Sequence, residues 1–240
     1  MGRRSAILAI AAGLCFGPVS CLCRAEEPQS ATKADRCSAW TGLTAGPNYV
    51  YGYVGAGMFV IGDADIGGVV ARLGMGGGGY RTAGGNPHDV VQYDANLMLG
   101  YRTDSDGAVL GIYAGGDFSR HDNKDPGANP RGTEWGIKGL VEAYAPLGGA
   151  FYLAGYGTYS TAFETFSADV KLAYRLSETV ALGPEAGAVG SAGFAQGRAG
   201  LMAAWKLKDY AELSGAAGAG WDLDDADMGF YGLINLYAEF

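Results

Sequence analysis

The sequence predicts an all-β fold: a single antiparallel transmembrane β-barrel of about twelve strands, preceded by a cleaved signal peptide. Three observations carry this. From Trp40 onward, segments of about ten residues alternate apolar and polar positions with period two. In those segments the charges sit mid-strand on one face, where lipid would reject Arg and Lys by about 2–4 kcal/mol each and Asp and Glu by less. The chain also ends on an aromatic strand. Phe230, Gly232, Ile234, Leu236, Ala238 and Phe240 share its greasy side, while Tyr231, Leu233, Asn235, Tyr237 and Glu239 share a mixed polar one.

Composition agrees. The chain has 42 glycines in 240 residues, more than twice the usual share of about 7%. Glycine weakens an ordinary strand, but curved barrel strands and crowded lumen positions favour a missing side chain. A mean hydropathy of +0.04 suits strands with one face toward lipid and one away. The net charge of −8 argues against nucleic acid as a partner.

Residues 1–25 read as a signal peptide, with Arg3 and Arg4, an apolar run from Ala6 to Gly17, helix-breaking Pro18, and a cleavage site after Ala25. Cleavage removes Cys15, Cys21 and Cys23 and leaves Cys37 alone, which excludes an internal disulfide. Lipidation at Cys21 is the rival reading, disfavoured by Pro18 three positions before it. Residues 26–38 form a polar leader, and 39–240 form the barrel domain.

The strands are expected at 39–47, 49–61, 66–81, 90–103, 107–119, 131–145, 149–160, 165–176, 179–189, 194–206, 210–221 and 229–240. In 66–81 the run Gly74 to Tyr80 reads as a strand with small lumen residues, since no Lys-Ser and no helix follow to make a phosphate cradle. In 90–103, Val91, Tyr93, Ala95, Leu97, Leu99 and Tyr101 oppose Gln92, Asp94, Asn96 and Arg102. In 131–145, Trp135, Ile137, Val141 and Ala143 oppose Glu134, Lys138, Glu142 and Tyr144. In 165–176, Ala168, Val170, Leu172, Tyr174 and Leu176 oppose Ser167, Asp169, Lys171 and Arg175. In 194–206, Ala199, Leu201, Ala203 and Trp205 oppose Gln196, Arg198 and Lys206.

Connection lengths alternate as a barrel with both ends in the periplasm requires. The longest, near 120–130 and 82–89, fall outside with 222–228, whereas the tight turns near 104–106, 177–178 and 207–209 fall inside. On this parity a cysteine at Asn123 is expected to face the exterior and one at Ser105 is not. Trp40, Tyr101, Trp135, Tyr174, Trp205 and Trp221 are expected in the interfacial aromatic girdles.

Four segments carry a resemblance: 97–101 (Leu-Met-Leu-Gly-Tyr), 129–136 (Asn-Pro-Arg-Gly-Thr-Glu-Trp-Gly), 159–166 (Tyr-Ser-Thr-Ala-Phe-Glu-Thr-Phe) and 182–186 (Leu-Gly-Pro-Glu-Ala). In this order they resemble the cellulose biosynthesis protein BcsS family of alphaproteobacteria, over roughly residues 40 to 240. The resemblance implies a secreted protein associated with bacterial cellulose production, and brings no catalytic or ligand residue with it. It also makes a glucan chain or the cellulose-secretion machinery candidate partners, beside outer-membrane lipids.

The residues themselves give no catalytic, cofactor or metal set. His88 and His121 are expected as solvated loop residues, because the Ser119–His121–Asp122 spacing gives a nucleophile no oriented base. Asp222, Asp224, Asp225 and Asp227 lack the spacing of a dedicated calcium loop. The suggestive set is the lumen face itself: Arg72, Asp94, Asp117, Glu134, Lys138, Glu142, Asp169, Lys171, Arg175, Glu185, Arg198 and Glu212. Buried charges must pair or sit in water, so two barrels fit: one plugged by ion pairs and one with a wet pore. Tyr51, Tyr53, Tyr113, Tyr144 and Tyr231 are candidates to face inward beside them and to stack on sugars. Three roles follow: a non-enzymatic outer-membrane component that supports cellulose secretion or anchoring, a small pore unrelated to cellulose, or an outer-membrane enzyme. The first is the reading adopted, and the pore is the alternative.

Overall fold

The protein was described as a computed structural model, which covers residues 37–63, 65, 67–82, 88–124, 129–223 and 228–240. The expected signal peptide, its rival lipidation site and most of the leader lie outside the described residues.

Twelve antiparallel strands close into one barrel among the described residues. They are β1 (Cys37–Gly46), β2 (Tyr49–Asp63), β3 (Gly67–Arg81), β4 (Asp89–Ser105), β5 (Ala108–Asn123) and β6 (Gly132–Gly148). The second half comprises β7 (Phe151–Ser160), β8 (Phe166–Arg175), β9 (Val180–Ser191), β10 (Phe194–Lys208), β11 (Ala211–Asp222) and β12 (Met228–Glu239). Each strand pairs with its sequence neighbour, and the seam joins β1 to β12 from Ser38↔Glu239 to Ala45↔Gly232. Cys37 at the start of β1 and Phe240 just past β12 tie the seam shut, Cys37 N–H to Phe240 O and Phe240 N–H to Cys37 O, both at 2.8 Å. Closure leaves no unpaired edge.

The registers fix which side chains share a face. Through the ladders, Glu212 lies opposite Tyr237, Tyr237 opposite Trp40, and Trp40 opposite Gly55. Residues one step along face the other way. That outer face is apolar and bare: Phe230 is 93% exposed, Leu201 71% and Ile137 68%. Large side chains left open around a whole barrel form a belt far larger than a monomer in water exposes. The inner face holds the buried residues, in three hydrophobic clusters interleaved with charges.

The inner face explains part of the glycine content. A Cβ at Gly76 would overlap the Tyr51 hydroxyl, and one at Gly42 would overlap the Tyr53 ring and Asn235. Neighbouring-strand rings occupy the space where those side chains would be.

Three expectations are corrected. His121 is not a solvated loop residue: it ends up in β5, 1% exposed, hydrogen-bonded at 3.0 Å to the Tyr80 hydroxyl and 4.5 Å from the Phe163 ring centroid. Past Phe118 the outward positions of β5 are Arg120 and Asp122, so the apolar alternation stops while the ladder to β4 continues. Asn123 is likewise buried and inward rather than surface-exposed. Trp40 faces inward rather than into a girdle, with the Arg72 guanidinium 4.3 Å above its ring. Asp222 closes β11 at 2% exposure, and Asp224, Asp225 and Asp227 lie outside the described residues.

Candidate functional site

Three layers of side chains line the lumen, from the rim opposite Cys37 and Phe240 (the distal rim) to the rim that carries them (the terminal rim). The distal layer is aromatic. Tyr49, Tyr80, Val90 and Phe194 form one buried cluster, with the Tyr80 and Phe194 centroids 5.3 Å apart across the barrel. A 3₁₀ turn, Ala162–Glu164, folds in beside it with both Ala162 and Phe163 buried. The Phe163 N–H donates to Glu134 Oε2 at 2.8 Å, and the Ala162 N–H donates to Ser160 Oγ at 3.1 Å. Glu134 thus holds this turn.

The middle layer is charged. Arg198 Nε donates to Glu185 Oε1 at 3.0 Å, and its Nη2 donates to Asp169 Oδ2 at 2.9 Å. Lys171 approaches the other Asp169 oxygen at 3.4 Å. Arg198, Glu185 and Asp169 are each at most 5% exposed, and Arg198 Nη1 reaches the Tyr49 hydroxyl at 3.4 Å. Alongside, Lys138 stands 3.6 Å from Asp117 Oδ1 and 3.9 Å from Asp94 Oδ1. Ser160 Oγ donates to Asp117 Oδ2, and the Tyr51 hydroxyl donates to Asp94. Tyr53 donates to Asn235 on β12. Each charge has an opposite partner, as charges this deep require.

The terminal layer is looser. Arg72 Nη1 donates to Glu142 Oε2 at 2.6 Å, the Tyr113 hydroxyl donates to Glu142 Oε1 at 2.6 Å, and Trp40 and Tyr113 clasp the Arg72 guanidinium between their rings. Arg102 on β4 reaches across the lumen to Glu239 on β12 at 2.7 Å. Arg175 donates to the Tyr144 hydroxyl and lies over the Tyr152 ring. Glu212 stands opposite Lys206 and Tyr237 in its ladders. Between these groups lies a cavity of about 430 Å³ lined by Ser38, Trp40, Phe59, Arg72, Arg102, Tyr113, Glu142, Tyr237 and Glu239, among others.

The ladders put all twelve predicted polar residues on the face that carries these layers, but not in one site. Glu134 lies distal; Asp94, Asp117, Lys138, Asp169, Lys171, Glu185 and Arg198 lie in the middle; Arg72, Glu142, Arg175 and Glu212 lie toward the terminal rim. Tyr51, Tyr53, Tyr113, Tyr144 and Tyr231 share that face. The sequence-derived set omits Arg102 and Glu239. The alternation had placed both on polar faces, which was the signal available. Among the described residues, no group of three His, Cys, Asp or Glu side chains is arranged to hold a metal ion.

The sequence profile described as cellulose biosynthesis protein BcsS matches residues 38–240. No curated protein matches the chain. Among solved structures, an outer membrane channel from Pseudomonas putida F1 is similar with a TM-score of 0.54 at 12% identity, over 90% of this chain and 100% of that one. The translocator domain of the autotransporter NalP from Neisseria meningitidis gives 0.49 at 16% identity, over 88% and 90%. LpxR from Salmonella typhimurium gives 0.48 at 10%, over 85% and 100%. The first of these likenesses shows the fold, that of an outer-membrane barrel.

Proposed function

The chain belongs to the cellulose biosynthesis protein BcsS family, and on that premise we propose that it is an outer-membrane barrel, exported by its signal peptide, that supports cellulose secretion or surface anchoring without catalysing a reaction. One observation carries the reading: a closed wall, apolar outside and ion-paired inside, extends over the matched residues. Such a wall satisfies every backbone group of its strands, which hydrocarbon demands. Polymerisation draws on activated sugar inside the cell, so a barrel in the outer membrane acts after synthesis, by passage, anchoring or scaffolding.

The alternative is a small pore. Against a wide one stands the middle layer, where Arg198, Asp169 and Glu185 are packed to 5% exposure or less. Deleting the protein should change how much cellulose is exported or retained at the surface, while synthase activity in isolated inner membranes stays normal. Unchanged surface cellulose together with altered solute uptake would transfer the assignment to the pore.

A further inference from the structure

We propose that the cavity at the terminal rim binds a neutral, hydroxyl-rich oligosaccharide, a segment of β-linked glucan that enters from that rim. The choice of glucan rests on the family reading above; the sugar chemistry rests on the wall of the cavity.

A volume of about 430 Å³ falls within the range of small-ligand sites, roughly 300–1,000 Å³. Its charges cancel. Arg72 is matched by Glu142 and Arg102 by Glu239, so an ionic ligand would shed its water with no spare counter-charge to meet it. Yet the wall asks for acceptors. The Nε–H groups of both arginines are buried without a hydrogen-bond partner, while Nη1 of each donates to its carboxylate. A hydroxyl or ring oxygen accepts such a bond without bringing charge. Trp40 and Tyr113 are engaged with Arg72; the Tyr237 hydroxyl bonds Arg102, yet its ring faces inward and the residue is still 37% exposed. Its ring offers an apolar plane beside polar groups, which matches a sugar with C–H faces and a hydroxyl rim.

Entry from the distal rim would have to pass the aromatic cluster and the Arg198 layer. The cavity itself is lined by Cys37, Ser38 and Glu239, residues at the ends of the seam strands.

The test is isothermal titration of the full barrel in a detergent without a sugar headgroup, with cellotetraose as ligand and trigalacturonate as its charged counterpart. Cellotetraose should bind. Tyr237→Ala should weaken binding about tenfold and Tyr237→Phe, which keeps the ring, less than about threefold. The neutral double variant Arg102→Gln with Glu239→Gln should also weaken binding, whereas Tyr80→Phe at the distal rim should leave it unchanged. Different gel migration of unheated and boiled samples establishes that each variant is folded. The site is overturned by absent cellotetraose binding in the unaltered protein, by undiminished binding in folded Tyr237→Ala, or by tighter binding of trigalacturonate. Absent binding with a cellulose phenotype on deletion rejects only this site. Binding without such a phenotype rejects the export role and leaves the site standing.

Discussion

At the scale of single residues, the middle of the lumen turns on Arg198, which answers both Asp169 and Glu185. Removing one partner of a buried ion pair leaves an uncompensated charge and costs about 3–5 kcal/mol. Arg198→Leu should therefore lower unfolding stability by about that amount, read as a shift of the urea midpoint in micelles. Asp169→Asn with Glu185→Gln in the same chain should recover part of the loss. The sequence made the side of each charge legible, because period two assigns a face. It could not give depth or partner. Arg72 and Glu142 sit three strands apart, and Arg102 and Glu239 four, so no local spacing announces either pair. Trp40 was misread because an indole near a strand end looks alike whether it meets a membrane interface or an arginine.

At the scale of elements, all twelve strands were legible, with ends that differ by a few residues. The largest difference is in β5, which runs on to Asn123 after its outward side has turned to Arg120 and Asp122. The expected connection near 120–130 starts inside this strand, because ladder hydrogen bonds do not require an apolar outer face. A probe for sidedness therefore moves from Asn123 to exposed Lys124, just past the strand. On intact cells, Lys124→Cys should react with an impermeant maleimide and Ser105→Cys should not. Labelling in the opposite order would invert the barrel. The last strand has its own test, because Phe240 bonds Cys37 through its backbone and so closes the seam. Deleting Phe240, or replacing it with Asp, should lower the amount recovered in the outer membrane and leave chain in the periplasm. Unchanged recovery would make the ending incidental.

At the scale of the whole molecule, a closed ladder with its polar groups turned inward should survive detergent at room temperature. An unheated sample should migrate differently from a boiled one, and identical migration would count against the barrel. How far the lumen is filled was left open by the sequence between two readings, because filling depends on side chains meeting across the barrel rather than along it. The seam has a consequence in time. Eleven of the twelve ladders join neighbours in the chain and can zip as hairpins, each closing a short loop. The β1–β12 ladder joins the first and last strands and must wait until the rest has curled around. Until then the molecule is a curved sheet with two bare edges, each able to accept a strand from another copy. Misassembly in refolding experiments should therefore rise with chain concentration during that interval and cease once the seam has formed.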